Sequence, residues 1–186
     1  FQKEIVIIRP TIDTTKFKIS NGTKNYYLLV ARLEKYKKVD LVIRAFNKLN
    51  LKLIIVGTGV EKRNLHKIAN KNIKFLEGIN DVELANLYSN AKAFIFPQHE
   101  DYGLTPLEAN ASGTPVIAYN KGGILETSIP YNGKNSQRFT SILFENQTTD
   151  SLIGAIKTFE SIKYSPEFIR KHSLQFDDSV FIKNIR

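Results

Sequence analysis

The sequence contains no cysteine, no methionine and no tryptophan. Without cysteine, neither a disulfide framework nor a thiolate metal site can form, which fits a reducing cytosol. The only histidines, His66, His99 and His172, lie far apart along the chain, so a histidine-based metal site is not expected. No apolar run approaches the roughly 18 residues needed to cross a bilayer. The opening stretch, Phe1 to Arg9, is too short and too charged for a signal peptide. With no methionine to begin it, the sequence is expected to be a segment of a longer chain.

What is present bounds the answer further. A chain of 186 residues with 42% hydrophobic content can bury one sizeable core. Its net charge of +9 raises nucleic acid or an anionic membrane as partners. The lysines, however, are spread over predicted helix faces. The densest patch, Lys35-Tyr36-Lys37-Lys38, lacks the interleaved aromatics of a strand-binding surface. Nucleic acid is therefore not expected. A phosphate-bearing small ligand, or an acceptor at a membrane surface, accounts for the charge.

Short apolar runs alternate with amphipathic ones. Strands are predicted at Tyr26 to Ala31, Leu53 to Val56, Ile73 to Leu76, Ala93 to Phe96, Pro115 to Tyr119 and Ser141 to Phe144. Helices are predicted at Val39 to Leu49, Glu61 to Asn70, through Tyr88 after an Asp81 cap, at Thr105 to Ser112, through Thr127 after Gly122-Gly123, and at Asp150 to Ile162, Pro166 to Ser173 and Ser179 to Arg186. Pro130 to Thr140, rich in Asn, Gly and Lys, reads as a flexible loop. This alternation defines an α/β fold: a Rossmann-like, doubly wound parallel sheet of about six strands with helices on both faces. Ligands of such sheets bind beyond the carboxyl ends of the strands, near a switch in strand order.

The loop after the predicted fourth strand carries the densest chemistry: Glu100-Asp101-Tyr102-Gly103-Leu104-Thr105-Pro106-Leu107-Glu108. Gly103 permits close approach of backbone to a ligand. Helix-start amides around Leu104 to Leu107 form an anion site. The flanking carboxylates, Glu100 and Glu108, suit sugar hydroxyls. A purely structural reading competes: Thr105 as N-cap, Pro106 at the first helical position and Glu108 closing a capping box. After the first strand, Arg32 offers a planar fork and Lys37 a point charge, both able to stabilise a departing diphosphate without a metal. A solvated basic loop is the competing reading there. Gly57-Thr58-Gly59 and Gly122-Gly123 are weaker signals and read equally well as tight turns.

Taken together, these segments resemble the C-terminal domain of glycosyltransferase family four, in particular its mannosyltransferase-like members. Val6 to Asp13 with Phe17 looks like the segment leading into that domain. Arg32-Leu33 with Lys37 looks like the phosphate-binding pair, and Phe75-Leu76-Glu77-Gly78 borders the base pocket. Glu100 to Glu108 is similar to the family's paired glutamates, and Gly113 to Ala118 with Gly122-Gly123 and Glu126 continues in register. The resemblance implies one GT-B C-terminal domain over residues 1–186, with residues 1–20 as interdomain linker and 163–186 as a helical tail. It also implies a nucleoside-diphosphate sugar donor, retention at the transferred carbon, and no metal or other cofactor. GDP-mannose is the donor its flavour suggests.

By the same resemblance Arg32, Lys37 and Glu100 act in catalysis. Those three with Gly78, Tyr102, Gly103, Leu104, Thr105 and Glu108 bind the donor, Glu108 through the ribose hydroxyls and Glu100 through the sugar. A glycan or lipid-linked acceptor would be held by an N-terminal domain outside this sequence. The terminal helix, with Val180, Phe181 and Ile185, would reach back to that domain. A cytoplasmic place with peripheral contact at the inner face of the membrane is implied, and the segment alone would transfer little or nothing. Two positions depart from the pattern: His99, where relatives often carry an acid, and Lys38, where glycine is common. A sugar-nucleotide epimerase, a phosphorylase, or a basic module for nucleic acid or anionic lipid are the alternatives.

Overall fold

The computed structural model describes residues 9–134 and 137–184. Strand β1, Tyr26–Val30, alternates between two cores rather than between core and water. Tyr27 and Leu29 join one apolar cluster, and Leu28 joins the other. Successive side chains point to opposite faces of a strand, so a run of five apolar residues must be covered on both sides.

The remaining strands are β2 (Leu53–Val56), β3 (Ile73–Leu76), β4 (Ala91–Phe96), β5 (Val116–Tyr119) and β6 (Ser141–Phe144). All pairings are parallel, in the order β3-β2-β1-β4-β5-β6. The chain winds outward from β1 to β3, then returns to β1's other edge with β4. The strand order therefore reverses between β1 and β4, which opens a crevice beyond their carboxyl ends.

Helices α1 (Val39–Leu49), α2 (Lys62–Ile68) and α6 (Thr149–Glu160) supply residues to one cluster, with Phe46, Leu65, Leu152 and Phe159. Helices α3 (Asp81–Asn90) and α4 (Leu104–Ala111) supply the other, with Tyr88 and Leu107. The short α5 (Ile124–Thr127), then α7 (Pro166–Ser173) and α8 (Asp178–Asn184), complete the order. Full burial of a side chain such as Phe46 or Phe94 contributes about 1.5–3 kcal/mol.

Expected elements recur with small shifts, and α1, β2, β3, β6 and α7 keep their expected bounds. Two start signals differ. Asn80, not Asp81, caps α3: its side chain accepts from the Glu83 amide at 2.9 Å, and the Glu83 carboxylate accepts from the Asn80 amide at 3.0 Å. Helix α4 begins at Leu104 with Gly103 as its N-cap, so the expected Thr105 cap and its capping box with Glu108 do not form.

The stretch expected to be flexible is pinned at both flanks. The Thr140 amide donates to the Ile129 carbonyl at 2.7 Å, and Phe139 is buried edge-on against Tyr131. That cross-packing is invisible in a count of Asn, Gly and Lys.

Residues 9–20 and 163–184, expected as linker and tail, pack together. The Ile12 amide donates to the Phe176 carbonyl at 3.0 Å, and the Asp178 amide to the Ile12 carbonyl at 3.2 Å. Asp177 accepts from the Thr14 amide and hydroxyl at 3.1 and 2.6 Å. Arg170 donates to the carbonyls of Phe17 (2.6 Å) and Ala111, tying both segments to α4. Val6 to Ile8 of the leading motif, and Ile185 of the terminal helix, lie outside the described residues. Val180 is exposed.

Candidate functional site

The crevice at the switch point has a volume of about 1050 Å³ and is bordered by the loops after β1, β2 and β4 and by the start of α4. Two of these loops are laced together. The Leu33 amide donates to the Thr58 carbonyl at 2.9 Å, and the Glu61 amide to the Leu33 carbonyl at 3.0 Å. Gly57, Thr58 and Gly59 thereby form one wall.

Lys37 ends a 3-10 turn over Lys35–Lys37 and forms an ion pair with Glu100 across the crevice. Desolvation, then the neighbouring Arg32 guanidinium, hold the Lys37 ammonium below its ordinary pKa of 10.5. Arg32 is exposed at the mouth and forms no ion pair with any described carboxylate. Lys38, next in sequence, sits at φ 55° and ψ 31°, the left-handed region. That geometry gives a physical reason for glycine at this position in sequences of the resembled pattern.

The opposite side is the start of α4. Its N-cap Gly103 has φ 84°, and a Cβ there would lie 2.9 Å from the Phe96 ring. Gly103 brings no capping side chain. The first-turn amides at Leu104 and Thr105 have no intrahelical acceptor, and both residues face the crevice. An unpaired helix start beside two cations favours an anion.

Glu100 is fixed from behind. Its carbonyl accepts from the Gly123 amide at 2.9 Å, and a Cβ on Gly122 would lie 2.2 Å from that carbonyl oxygen. The Gly122-Gly123 pair thus positions the Glu100 loop and does not line the crevice.

Glu108 lies elsewhere. It faces an adjoining cavity of about 180 Å³, with Asp13, Lys16 and Leu84, and Leu104 borders both spaces. The Glu108 carboxylate accepts from the Tyr88 hydroxyl at 2.8 Å. Burial raises its pKa above the ordinary 4.5, and the Tyr88 hydrogen bond opposes that shift only in part. The single crevice expected from the sequence is therefore two, parted by the first turn of α4.

The structure brings Arg32, Lys37, Glu100, Gly103, Leu104 and Thr105 together. It does not bring Tyr102 or Gly78 to them. Tyr102 packs its ring against the second apolar cluster, and Gly78 stands exposed at φ 65° after β3, bordering neither space. Gln98, which the sequence did not single out, lines the crevice while only 2% exposed, and its Oε1 accepts no hydrogen bond. A polar residue just past the carboxyl end of a buried strand is the signal that could have found it. No group of three or more His, Cys, Asp or Glu side chains able to hold a metal ion occurs among the described residues. Among them, no helix is long and apolar enough to cross a membrane.

A doubly wound sheet with two cations and an open helix start at its switch point defines an α/β domain whose crevice suits an anionic ligand by charge. The chain belongs to the group 1 glycosyl transferases, whose family model matches residues 11–174. It is 25% identical to the alpha-1,3/1,6-mannosyltransferase ALG2 of Candida glabrata, over 92% of this chain and 49% of that protein. A probable sucrose-phosphate synthase of Thermosipho melanesiensis is 35% identical over 70% of this chain and 35% of its own length. The fold is shared with Anabaena HepE, solved in complex with UDP and glucose: TM-score 0.80, 20% identity, 96% of this chain and 54% of that one. The chain thus spans about half, or less, of the length of these proteins.

Proposed function

We propose that this chain is the donor-binding domain of a retaining glycosyltransferase, and that the crevice at the β1/β4 switch holds a nucleoside-diphosphate sugar. One observation carries the reading: Arg32, the Lys37–Glu100 pair and the open start of α4 share one space. Breaking the bond between the sugar's anomeric carbon and the diphosphate leaves negative charge on a phosphate oxygen. A new bond then forms to an acceptor oxygen, whose proton passes to the departing diphosphate. Fixed cations and amides aimed at developing charge lower such barriers, with about 2.7–4 kcal/mol for a single well-placed donor. With Arg32 and Lys37 supplying positive charge, the reaction is proposed to need no metal or other cofactor. Glu100 would hold the transferred sugar and Glu108, in the adjoining cavity, the ribose.

GDP-mannose is the proposed donor, on the strength of the mannosyltransferase relative. A UDP-sugar is the rival, since HepE was captured with UDP and glucose. The acceptor, a glycan or a lipid-linked sugar, would be held by chain outside these residues. The exposed Val60 and Leu104 at the crevice mouth offer an apolar rim for that part to cover. A cytoplasmic place with peripheral contact at an anionic membrane face is proposed from the +9 charge. Isothermal titration with GDP, UDP and ADP tests the reading. Binding of at least one, lost on Arg32→Ala with Lys37→Ala, is expected. Absence of binding by all three would refute it.

A further inference from the structure

Tyr88 of α3 stands behind the smaller cavity and has no part in the reading above. Its ring is fully buried in the second apolar cluster, edge-on to Phe17 at 6.0 Å and tilted against Phe94 at 5.5 Å. Its carbonyl accepts from the Thr114 hydroxyl at 2.7 Å. Burial, then the neighbouring Glu108 charge, holds the phenol pKa well above its ordinary 10, so the hydroxyl stays protonated and donates. Its acceptor is Glu108 Oε2, at 2.8 Å. Phenylalanine would fill the same core without the cost of taking a hydroxyl out of water. What the hydroxyl adds is this bond to the carboxylate.

The bond fixes how the carboxylate is presented. Oε2 is held from behind. Oε1 takes no hydrogen bond, yet it is not shut away from water as the unpartnered oxygens of Asn72, Gln98 and Tyr102 are. Because Glu108 lines the smaller cavity, Oε1 is the oxygen left open to it. Burial favours the neutral acid, and the Tyr88 bond is the chief contact favouring the carboxylate. The other charged groups at that cavity are Asp81 on α3 and Asp13 and Lys16 ahead of β1. Asp81 and Lys16 pair at 3.7 Å and act on Glu108 in opposite senses. We propose that Tyr88 is a positioning residue, whose hydroxyl aims the Glu108 carboxylate so that Oε1 accepts a hydrogen bond from a ribose hydroxyl. This inference rests on the donor-binding reading and on its assignment of the ribose to Glu108.

Tyr88→Phe removes the hydroxyl and keeps the ring. Isothermal titration of wild type and variant with UDP, GDP and their 2′,3′-dideoxy counterparts, over a pH series, tests the proposal. For the base that binds, the variant should hold the diphosphate about tenfold more weakly near neutral pH. The dideoxy form has no ribose hydroxyl to offer and should bind both proteins alike. Without the Tyr88 donor the Glu108 pKa rises further, so the carboxylate forms only at higher pH, and the gap to wild type should close as pH rises. A core merely loosened would weaken both ligands at every pH, and that result overturns the assignment. So does an undiminished affinity for the diphosphate. Should melting show that the variant does not fold, wild type decides by NMR. Its buried Tyr88 hydroxyl proton should shift with saturating diphosphate and stay in place with the dideoxy form, and the same response to both overturns the proposal. If wild type binds none of these ligands, the donor-binding reading itself falls. If it binds a diphosphate and its dideoxy form equally, that reading stands and the ribose assignment is lost, with the role of Tyr88.

Discussion

Lys37 and Glu100 are paired with one another across the crevice, yet the proposed donor would take them apart to serve different ends. Their removal should therefore have opposite effects on a plain nucleoside diphosphate. Lys37→Ala deletes a charge-assisted hydrogen bond to phosphate, worth about 1.5–3 kcal/mol. It also leaves the Glu100 carboxylate, whose side chain is only 25% exposed, unneutralised beside the anion. A loss of about ten- to a hundredfold in diphosphate affinity is expected. Glu100→Gln keeps the shape, removes the competing anion and frees Lys37, so diphosphate affinity should hold or rise by a few-fold. The cognate sugar nucleotide should gain nothing, because Glu100 is lost as an acceptor for sugar hydroxyls. Titration calorimetry at fixed ionic strength measures all four combinations, since phosphate contacts weaken with salt. If Glu100→Gln weakens the diphosphate as strongly as Lys37→Ala, the ion pair is structural and the division of labour is wrong.

Three further outcomes are expected. Lys37 is held below its ordinary pKa, so the free crevice loses that charge as pH rises, before an ordinary lysine would; diphosphate affinity should fall across that alkaline range, and Lys37→Arg should flatten the fall, as calorimetry across a pH series will show. Lys38→Gly should relieve the left-handed backbone and, net of the added freedom of the unfolded chain, stabilise by about 0.5–1 kcal/mol, seen as a rise of roughly 1–4 °C in melting temperature. Asp177 is held well below the usual carboxylate range by Ser179 and Thr14, so its contribution is full above that range and is lost as pH falls through the depressed value; Asp177→Asn should speed hydrogen exchange at the Thr14 amide at neutral pH, with the difference from wild type shrinking in strong acid.

The alternation of apolar runs made the sheet legible, because parallel strands buried on both faces carry an almost continuous signal. The order β3-β2-β1-β4-β5-β6 was implied only as a class, and the reversal point had to be seen. Arg32, Lys37 and Glu100 were legible by their position after strands. Gln98 lines the same crevice, and its only trace in sequence is a polar residue just past the carboxyl end of a buried strand. In sequence the Gly122-Gly123 turn reads two ways, as a tight turn or as a ligand-facing one. The approach to the Glu100 carbonyl settles it as support for the site, a contact between loops far apart along the chain. The union of residues 9–20 with 163–184 was unreadable for the same reason, since it rests on single pairs such as Thr14 with Asp177.

The capping-box reading of Thr105 and Glu108 failed by two residues, and that shift decides what Glu108 can do. Had Thr105 been the N-cap, Glu108 would stand at the third helical position, its carboxylate turned back to the cap amide and spent there. With Gly103 as cap, Glu108 stands at the fifth position, one turn into the helix, too far to reach it. Pro106 then falls within the first turn, where its missing N–H costs nothing. The carboxylate is left to the Tyr88 hydroxyl on one side and the smaller cavity on the other. Meanwhile the amides at Leu104 and Thr105, the second of which a capping box would have engaged, stay open to the larger crevice. A glycine cap therefore leaves two functions available from one helix start: donors for an anion on one flank and an acceptor for hydroxyls on the other. The ridge at Leu104 that parts the two cavities sets the span a ligand must bridge to use both, and a diphosphate joining two sugars has acceptor oxygens at its middle and hydroxyls at each end.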